Sequence, residues 1–190
     1  MIAPPFLKGT EVHLRALTER DCQGAYLHWF NDPEVCRFNG HHLVPYQADS
    51  AREYVRKSEL STSDLVLAIV LTEGDRHIGN VSLQNIHPVH RTAEFAIVLG
   101  EKDCWGKGYS KQAARLILDH GFLTLNLRRV ECGTADTNVP MKKLAEFLGM
   151  KEEGRRRQSL FRENRYLDVV EYGVLKEEYL RKFPEAGGTR

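Results

Sequence analysis

The stretch that most constrains this chain is an apolar run, Phe95-Ala96-Ile97-Val98-Leu99, followed by Gly100 and then by Cys104-Trp105-Gly106-Lys107-Gly108-Tyr109-Ser110-Lys111-Gln112-Ala113-Ala114. A short continuous apolar run bounded by turn residues predicts a strand. Beyond the glycines, Ala113, Leu116 and Ile117 recur at helical spacing and predict a helix from Tyr109 to about Thr124. Strand, glycine loop and helix N-terminus form an arrangement that binds anions. Glycine admits φ > 0 and lets the backbone approach a ligand closely. The first helical turn leaves N–H groups unpaired, and the helix dipole adds partial positive charge. A pyrophosphate fits such an end.

Upstream, Glu11 to Leu17 alternates and predicts a strand. Thr18, with Asp21 three residues on, caps a helix carrying Ala25, Leu27, Trp29 and Phe30, and Asn31-Asp32-Pro33 stops it. Pro33 to Phe38 predicts a short turn of helix, Asn39-Gly40-His41-His42 a loop, and about Gln47 to Glu59 a second helix. Leu65 to Leu71 is a continuous apolar strand, turned by Glu73-Gly74-Asp75-Arg76 into His77 to Leu83, a hairpin. Asn85 to Arg91 is a polar loop, and Thr92 to Leu99 the next strand.

Downstream, Arg129 to Thr134 predicts a strand. Asp136-Thr137-Asn138 precedes a helix with Pro140 in its first turn and Gly149 at its end. Lys151 to Arg157 and Tyr166 to Leu175 are two closing strands, and Lys176 to Phe183 a final helix. The order β-α-α-β-β-β-α-β-α-β-β mixes antiparallel hairpins with one strand–helix–strand crossover. That predicts an α+β domain, not a doubly wound sheet.

The chain's 190 residues suffice for one domain with a substantial core. That domain is expected over residues 1–183, with a frayed tail over 184–190. A net charge of +1 gives no field that would favour nucleic acid or a membrane surface. Cys22, Cys36, Cys104 and Cys132 are scattered without a C-x-x-C pair, which fits a reducing cytoplasm and argues against zinc or a disulfide framework. The N-terminus lacks a signal-peptide apolar segment, and no apolar run approaches the roughly 18 residues of a membrane span.

The element order, the Trp105-Gly106-Lys107-Gly108-Tyr109 loop and Asn138 before a helix ending Leu148-Gly149-Met150 resemble the GNAT superfamily of acyl-CoA N-acyltransferases. Within it, Trp29-Phe30-Asn31-Asp32-Pro33-Glu34-Val35, Leu127-Arg128-Arg129-Val130 and Tyr166-Leu167-Asp168-Val169-Val170 are similar to the ribosomal-protein N-terminal alanine acetyltransferase-like branch. Val89-His90-Arg91-Thr92-Ala93-Glu94-Phe95 also looks like spermidine N-acetyltransferases.

The resemblance implies a GNAT-like mixed, mostly antiparallel sheet with a splayed parallel strand pair, flanked by helices. It implies acetyl-CoA as cosubstrate, no metal, and an amine acceptor that is a small molecule or a protein N-terminus. It places the pyrophosphate on backbone N–H groups from Trp105 through Gly106, Lys107, Gly108 and Tyr109 to Ser110. The pantetheine arm lies along Ile97, Val98 and Leu99, with the Asn138 side chain reaching it from the far side. Three positions depart from the family pattern. Asp103 replaces a frequent Gln or Arg, Ala145 a tyrosine acid, and Met141 a small hydroxyl residue.

Acetyl transfer to an amine requires loss of a proton from an alkylammonium with pKa near 10, a donor for the oxyanion, and tolerance of the thiolate. Alternation puts Glu94 with Ala96 and Val98 on one strand face. A carboxylate in an apolar strand is costly to bury unless paired. Glu94 is therefore the candidate for proton removal or ammonium binding, with a structural carboxylate paired to a residue such as Arg91 as the competing assignment. A backbone N–H near Ile97 or Val98 is the candidate oxyanion donor. Tyr109, Cys104 and Tyr166 are candidate acids, and a thiol near pKa 8.5 can also leave without one. Lys107 and Lys111 start a helix and are placed to meet phosphates or solvent. Asn138 also suits a plain helix cap. His41, His42, His87 and His90 are loop residues suited to an acceptor pocket. The expected function is acetyl transfer to a primary amine by direct attack. Polyamine or amino-sugar acceptors, or a non-catalytic acyl-CoA-binding module, are the alternatives. The final strands offer an edge through which two copies could pair.

Overall fold

The structure, a computed structural model, describes residues 3–187. The strands are β1 (Leu7–Lys8), β2 (Val12–Ala16), β3 (Leu65–Leu71), β4 (His77–His87), β5 (Thr92–Leu99), β6 (Arg129–Ala135), β7 (Lys151–Arg162) and β8 (Arg165–Leu175). The helices are α1 (Ala25–Asn31), α2 (Ala48–Leu60), α3 (Tyr109–Leu123), α4 (Val139–Leu148) and α5 (Lys176–Lys182). One mixed sheet runs β1-β2-β3-β4-β5-β6-β8-β7. Its pairs are antiparallel except β5 with β6. The expected α+β architecture with a single parallel strand pair is the one observed.

The burial pattern explains why the elements form. Leu67, Ile69, Val81, Leu83, Phe95, Val130, Cys132 and Val170 point to one face and pack under α3, α4 and α5. Ala68 and Val70 point to the other and pack with Tyr26, Trp29, Phe30, Ala51 and Val55 of α1 and α2. Strand β3 is apolar throughout because it is covered on both faces. Beyond β3 the layer of α1 and α2 reaches only the start of β4, where Tyr26 meets Asn80, and the end of β5, where Trp29 packs on Gly100. On its side of the sheet, β5, β6 and β8 carry Glu94, Glu131 and Glu171 between apolar residues such as Ala96, Ala135 and Val169. This uncovered half is the open face.

Several expected boundaries move. The segment after Thr18 is a 3-10 turn, Glu19–Cys22, with the Asp21 carboxylate accepting from the Thr18 N–H at 2.7 Å. Gly24, at φ 65°, then starts α1 as a separate element. Residues 33–38 form hydrogen-bonded turns rather than helix. Strand β4 continues to His87, so the polar loop before β5 is shorter than predicted, and β7 continues to Arg162. The tail expected over 184–190 begins as a 3-10 turn, Pro184–Gly187, with Glu185 bonded to Arg115 at 3.0 Å. The remainder of that tail, residues 188–190, lies outside the described residues.

A buried ion pair anchors the helical layer to the sheet. Arg15 reaches Asp21 through two bonds, at 2.8 and 2.7 Å. His77 Nδ1 stands 3.2 Å from the same carboxylate. Burial pushes the Asp21 carboxyl up, but the bonds from Arg15, His77 and the Thr18 backbone outweigh it and hold it well below the usual carboxylate range.

Candidate active site

Strands β5 and β6 pair only at Thr92–Arg129, Ala93–Val130 and Glu94–Glu131. Beyond Glu94 they separate. β5 runs on to Leu99 beside β4, and β6 runs on to Ala135 beside β8. The β6-facing edge of residues 95–99 is therefore not paired with β6, which leaves strand-edge backbone groups there for a ligand. Ile97, Val98 and Leu99 border this gap and are half-buried.

The glycine loop closes the wide end of the gap. Gly106 and Gly108 have φ of 75° and 89°, and nothing lies within 4 Å of a Cβ built on either. The Trp105 N–H is spent on the Lys102 carbonyl at 3.1 Å. From Gly106 through Lys107, Gly108 and Tyr109 to Ser110, no N–H meets a protein acceptor among the described residues. Five unpaired donors in a row at the start of a 15-residue helix make an anion-binding nest. Its usable N–H groups start at Gly106, one residue later than the sequence suggests. The Trp105 side chain folds back, its indole N–H donating to the Leu99 carbonyl at 2.9 Å. Tyr109 packs against the core. Lys107 is exposed, and the Lys111 ammonium sits 5.0 Å from the centre of the Phe147 ring.

Asn138 caps α4. Its Oδ1 accepts from the Met141 N–H at 3.3 Å, and its amide donates to Thr134 Oγ1 at 2.9 Å. That ties the cap to β6 where β6 borders the gap. Met141 packs on the core and Ala145 is fully buried, so neither offers a proton.

Glu94 lies at the last paired position before the strands part. It sits within the apolar strand β5, as expected, but is exposed on the open face, so it carries no burial cost that a partner must offset. Its nearest polar partner is Asn85, whose amide donates at 3.3 Å, and not Arg91. Glu131 is its register partner. Glu171 follows on β8 opposite Gly133, on the same face. Glu131 is paired with Arg129 and Glu171 with Arg156, whereas Glu94 has no ion-pair partner among the described residues. Beneath them the Cys132 thiol is pushed up to about 12, by burial and then by the charges of Glu171, Glu94 and Glu131.

The rim of the open face comes from loops. The turn after α1 reaches across to the β7–β8 hairpin, where Arg37 pairs with Glu163 at 2.8 Å and Arg162 bonds the Asn39 carbonyl. His41 lies against Phe30 at a ring distance of 4.3 Å, and His87 stacks on His90 at 4.1 Å. The hairpin exposes Phe161 and Tyr166, whose rings meet at 5.0 Å.

Sequence reasoning finds Asp103 but misses its partner. Arg76, from the β3–β4 turn, grips the Asp103 carboxylate with two bonds of 2.8 Å and also meets Glu101. The Asp103 carboxyl is held below its usual range by Arg76. Among the described residues no group of three metal-ligating side chains converges, and no helix is long and apolar enough to cross a membrane.

A strand gap ending in an anion nest suits a long ligand that carries phosphate at one end. The model of an acetyltransferase (GNAT) domain matches residues 11–151. The chain belongs to the GNAT acetyltransferases, enzymes that use acetyl-CoA as cosubstrate. It is 30% identical over 170 residues to the uncharacterized N-acetyltransferase p20 of Bacillus licheniformis, across 87% of this chain and 93% of that protein. It is 27% identical over 179 residues to the spermidine N(1)-acetyltransferase of Escherichia coli K12, across 94% and 93% of the two chains. The crystal structure of spermidine N-acetyltransferase from Vibrio cholerae, in complex with CoA and spermine, superposes with a TM-score of 0.81 at 27% identity, covering 90% of this chain and 99% of that one.

Proposed function

We propose that this N-acetyltransferase acetylates a primary amine of a small polycation, which docks on the open face with its reacting nitrogen at Glu94. The observation that carries the reading is the row Glu94, Glu131 and Glu171 on one uncovered sheet face, with Glu94 lacking a cation partner among the described residues at the point where β5 and β6 part. The similarity to spermidine N(1)-acetyltransferases points the same way.

Acetyl-CoA supplies the activated acyl group. The nest at residues 106–110 holds the diphosphate, and Ile97, Val98 and Leu99 border the pantetheine arm, with the Asn138–Thr134 pair opposite. Glu94 takes the ammonium proton, directly or through water. The neutral nitrogen attacks the thioester carbonyl. The oxyanion forms against a β5 backbone N–H near Ile97 or Val98. The C–N bond forms and the C–S bond breaks; coenzyme A leaves as a thiolate, and the nitrogen's second proton passes to that thiolate or to solvent, so no side-chain acid is needed, in keeping with Ala145 and Met141. The reaction is placed in the cytoplasm, where four unpaired, buried cysteines stay reduced.

Thiol release from acetyl-CoA across spermidine, spermine, putrescine, amino sugars and peptides with free N-termini tests the reading. Turnover that is highest with polyamines supports it. Turnover confined to peptides transfers the acceptor role to a protein N-terminus. Inactivity on every amine overturns it.

A further inference from the structure

The segment Gly100–Cys104 joins the open edge of β5 to the nest, and all three of its charged side chains are tied to residues distant in sequence. Lys102 reaches Asp32 and Glu34 beyond α1, both at 2.7 Å. Glu101 accepts from the Trp29 indole N–H at 2.7 Å and pairs with Arg76. Asp103 is bound by Arg76 through both guanidinium ends. With Lys102 shared by two acids, Arg76 is the one side chain that pairs with both Glu101 and Asp103, a single cation against two carboxylates. Both carboxylates flank the entrance to the site that must receive a diphosphate. An unbalanced carboxylate there repels the ligand, and one left without its partner is free to swing toward the nest.

We infer that Arg76 is a positioning residue for coenzyme A. Its guanidinium fork pins Asp103 and Glu101 to the β3–β4 turn, offsetting part of their charge and fixing the segment that presents the nest. The inference rests on the nest holding the diphosphate. It gives Asp103 a role that its chemistry otherwise contradicts, because Asp103 anchors the loop and the basic residue is supplied from 27 positions upstream. Lysine cannot reproduce this arrangement, since a point charge does not grip two carboxylates with parallel bonds.

Calorimetric titration of coenzyme A into wild type, R76Q, R76K, D103N and R76Q/D103N tests it without turnover. R76Q is expected to weaken binding about fivefold to tenfold at low salt, the scale of one unbalanced surface charge acting on a multiply charged ligand. R76K is expected to fall between R76Q and wild type. The loss should shrink at high ionic strength, which screens charge but does not repair a packing defect. In the D103N background the same Arg76 substitution should cost clearly less than in wild type, because one of the two carboxylates it restrains is gone. Thermal melts of each variant confirm folding, and R76K keeps the sign readable where R76Q is too unstable. R76Q binding within twofold of wild type overturns the inference, as does an equal, salt-independent loss in both backgrounds. A wild-type protein that binds no coenzyme A overturns the nest assignment itself.

Discussion

The Trp29 indole packs directly on Gly100, so closely that a Cβ built on the glycine would stand 1.9 Å from Trp29 Cδ2. The same indole donates to Glu101 one residue later. Helix α1 therefore sets the path of the chain at the point where β5 hands over to the coenzyme loop.

Gly100→Ala should destabilise the protein by about 1–3 kcal/mol, the usual cost of overpacking a buried contact. Urea unfolding measures it. Pairing the change with Trp29→Ala should make the glycine substitution much cheaper, because the obstructing ring is removed.

Glu94→Gln should lower kcat/KM for the amine by about 10² to 10⁴ if the carboxylate takes the proton, the range for loss of a general base. The residual rate should keep rising toward the amine's own pKa near 10. A carboxylate that only anchors the ammonium would instead raise KM and spare kcat. Coenzyme A affinity, read by calorimetry, should not change, because Glu94 lies at the narrow end of the strand gap.

Asp21→Asn leaves Arg15 buried beside a neutral partner and should cost about 3–5 kcal/mol at pH 7, as other broken buried pairs do. The pH dependence has a definite sign. The folded-state pKa of Asp21 is depressed, so its stabilisation is complete above the unfolded value near 3.9 and drains away as pH falls below it. Denaturation at pH 7 and at pH 3 should show the wild-type advantage over the variant narrowing in acid.

The four cysteines are buried, and burial raises each thiol above its ordinary pKa, Cys132 to about 12. A disulfide reagent such as dithionitrobenzoate should react slowly with the native protein at pH 8 and quickly with four thiols once guanidinium unfolds it. The same reagent can then follow coenzyme A release with little background from the enzyme.

Elements with strong local signals were legible in the sequence. Asn138 and Pro140 mark the start of α4 and Gly149 its end, and the alternation of β5 separates Glu94 from Phe95. Features set by distant partners were not. β1 has two residues and exists only through its pairing with β2. The Arg155-Arg156-Arg157 run hides that β7 continues through Ser159 and Leu160, since no alternation survives two register shifts. Exposure of Glu94 follows from how far α1 and α2 extend, which no property of β5 encodes. Asp103 reads as a misfit until the fold brings Arg76 beside it.

The donors at residues 106–110 belong to the main chain, so the capacity to hold an anion is stored in backbone angles and not in side-chain identity. Saturation mutagenesis across the segment should consequently be uneven. Lys107 and Ser110 should accept most replacements, while Gly106 and Gly108 should accept almost none, since L-residues seldom adopt their positive φ. Drift at neighbouring positions can then reshape the loop's exterior while leaving its grip on phosphate intact.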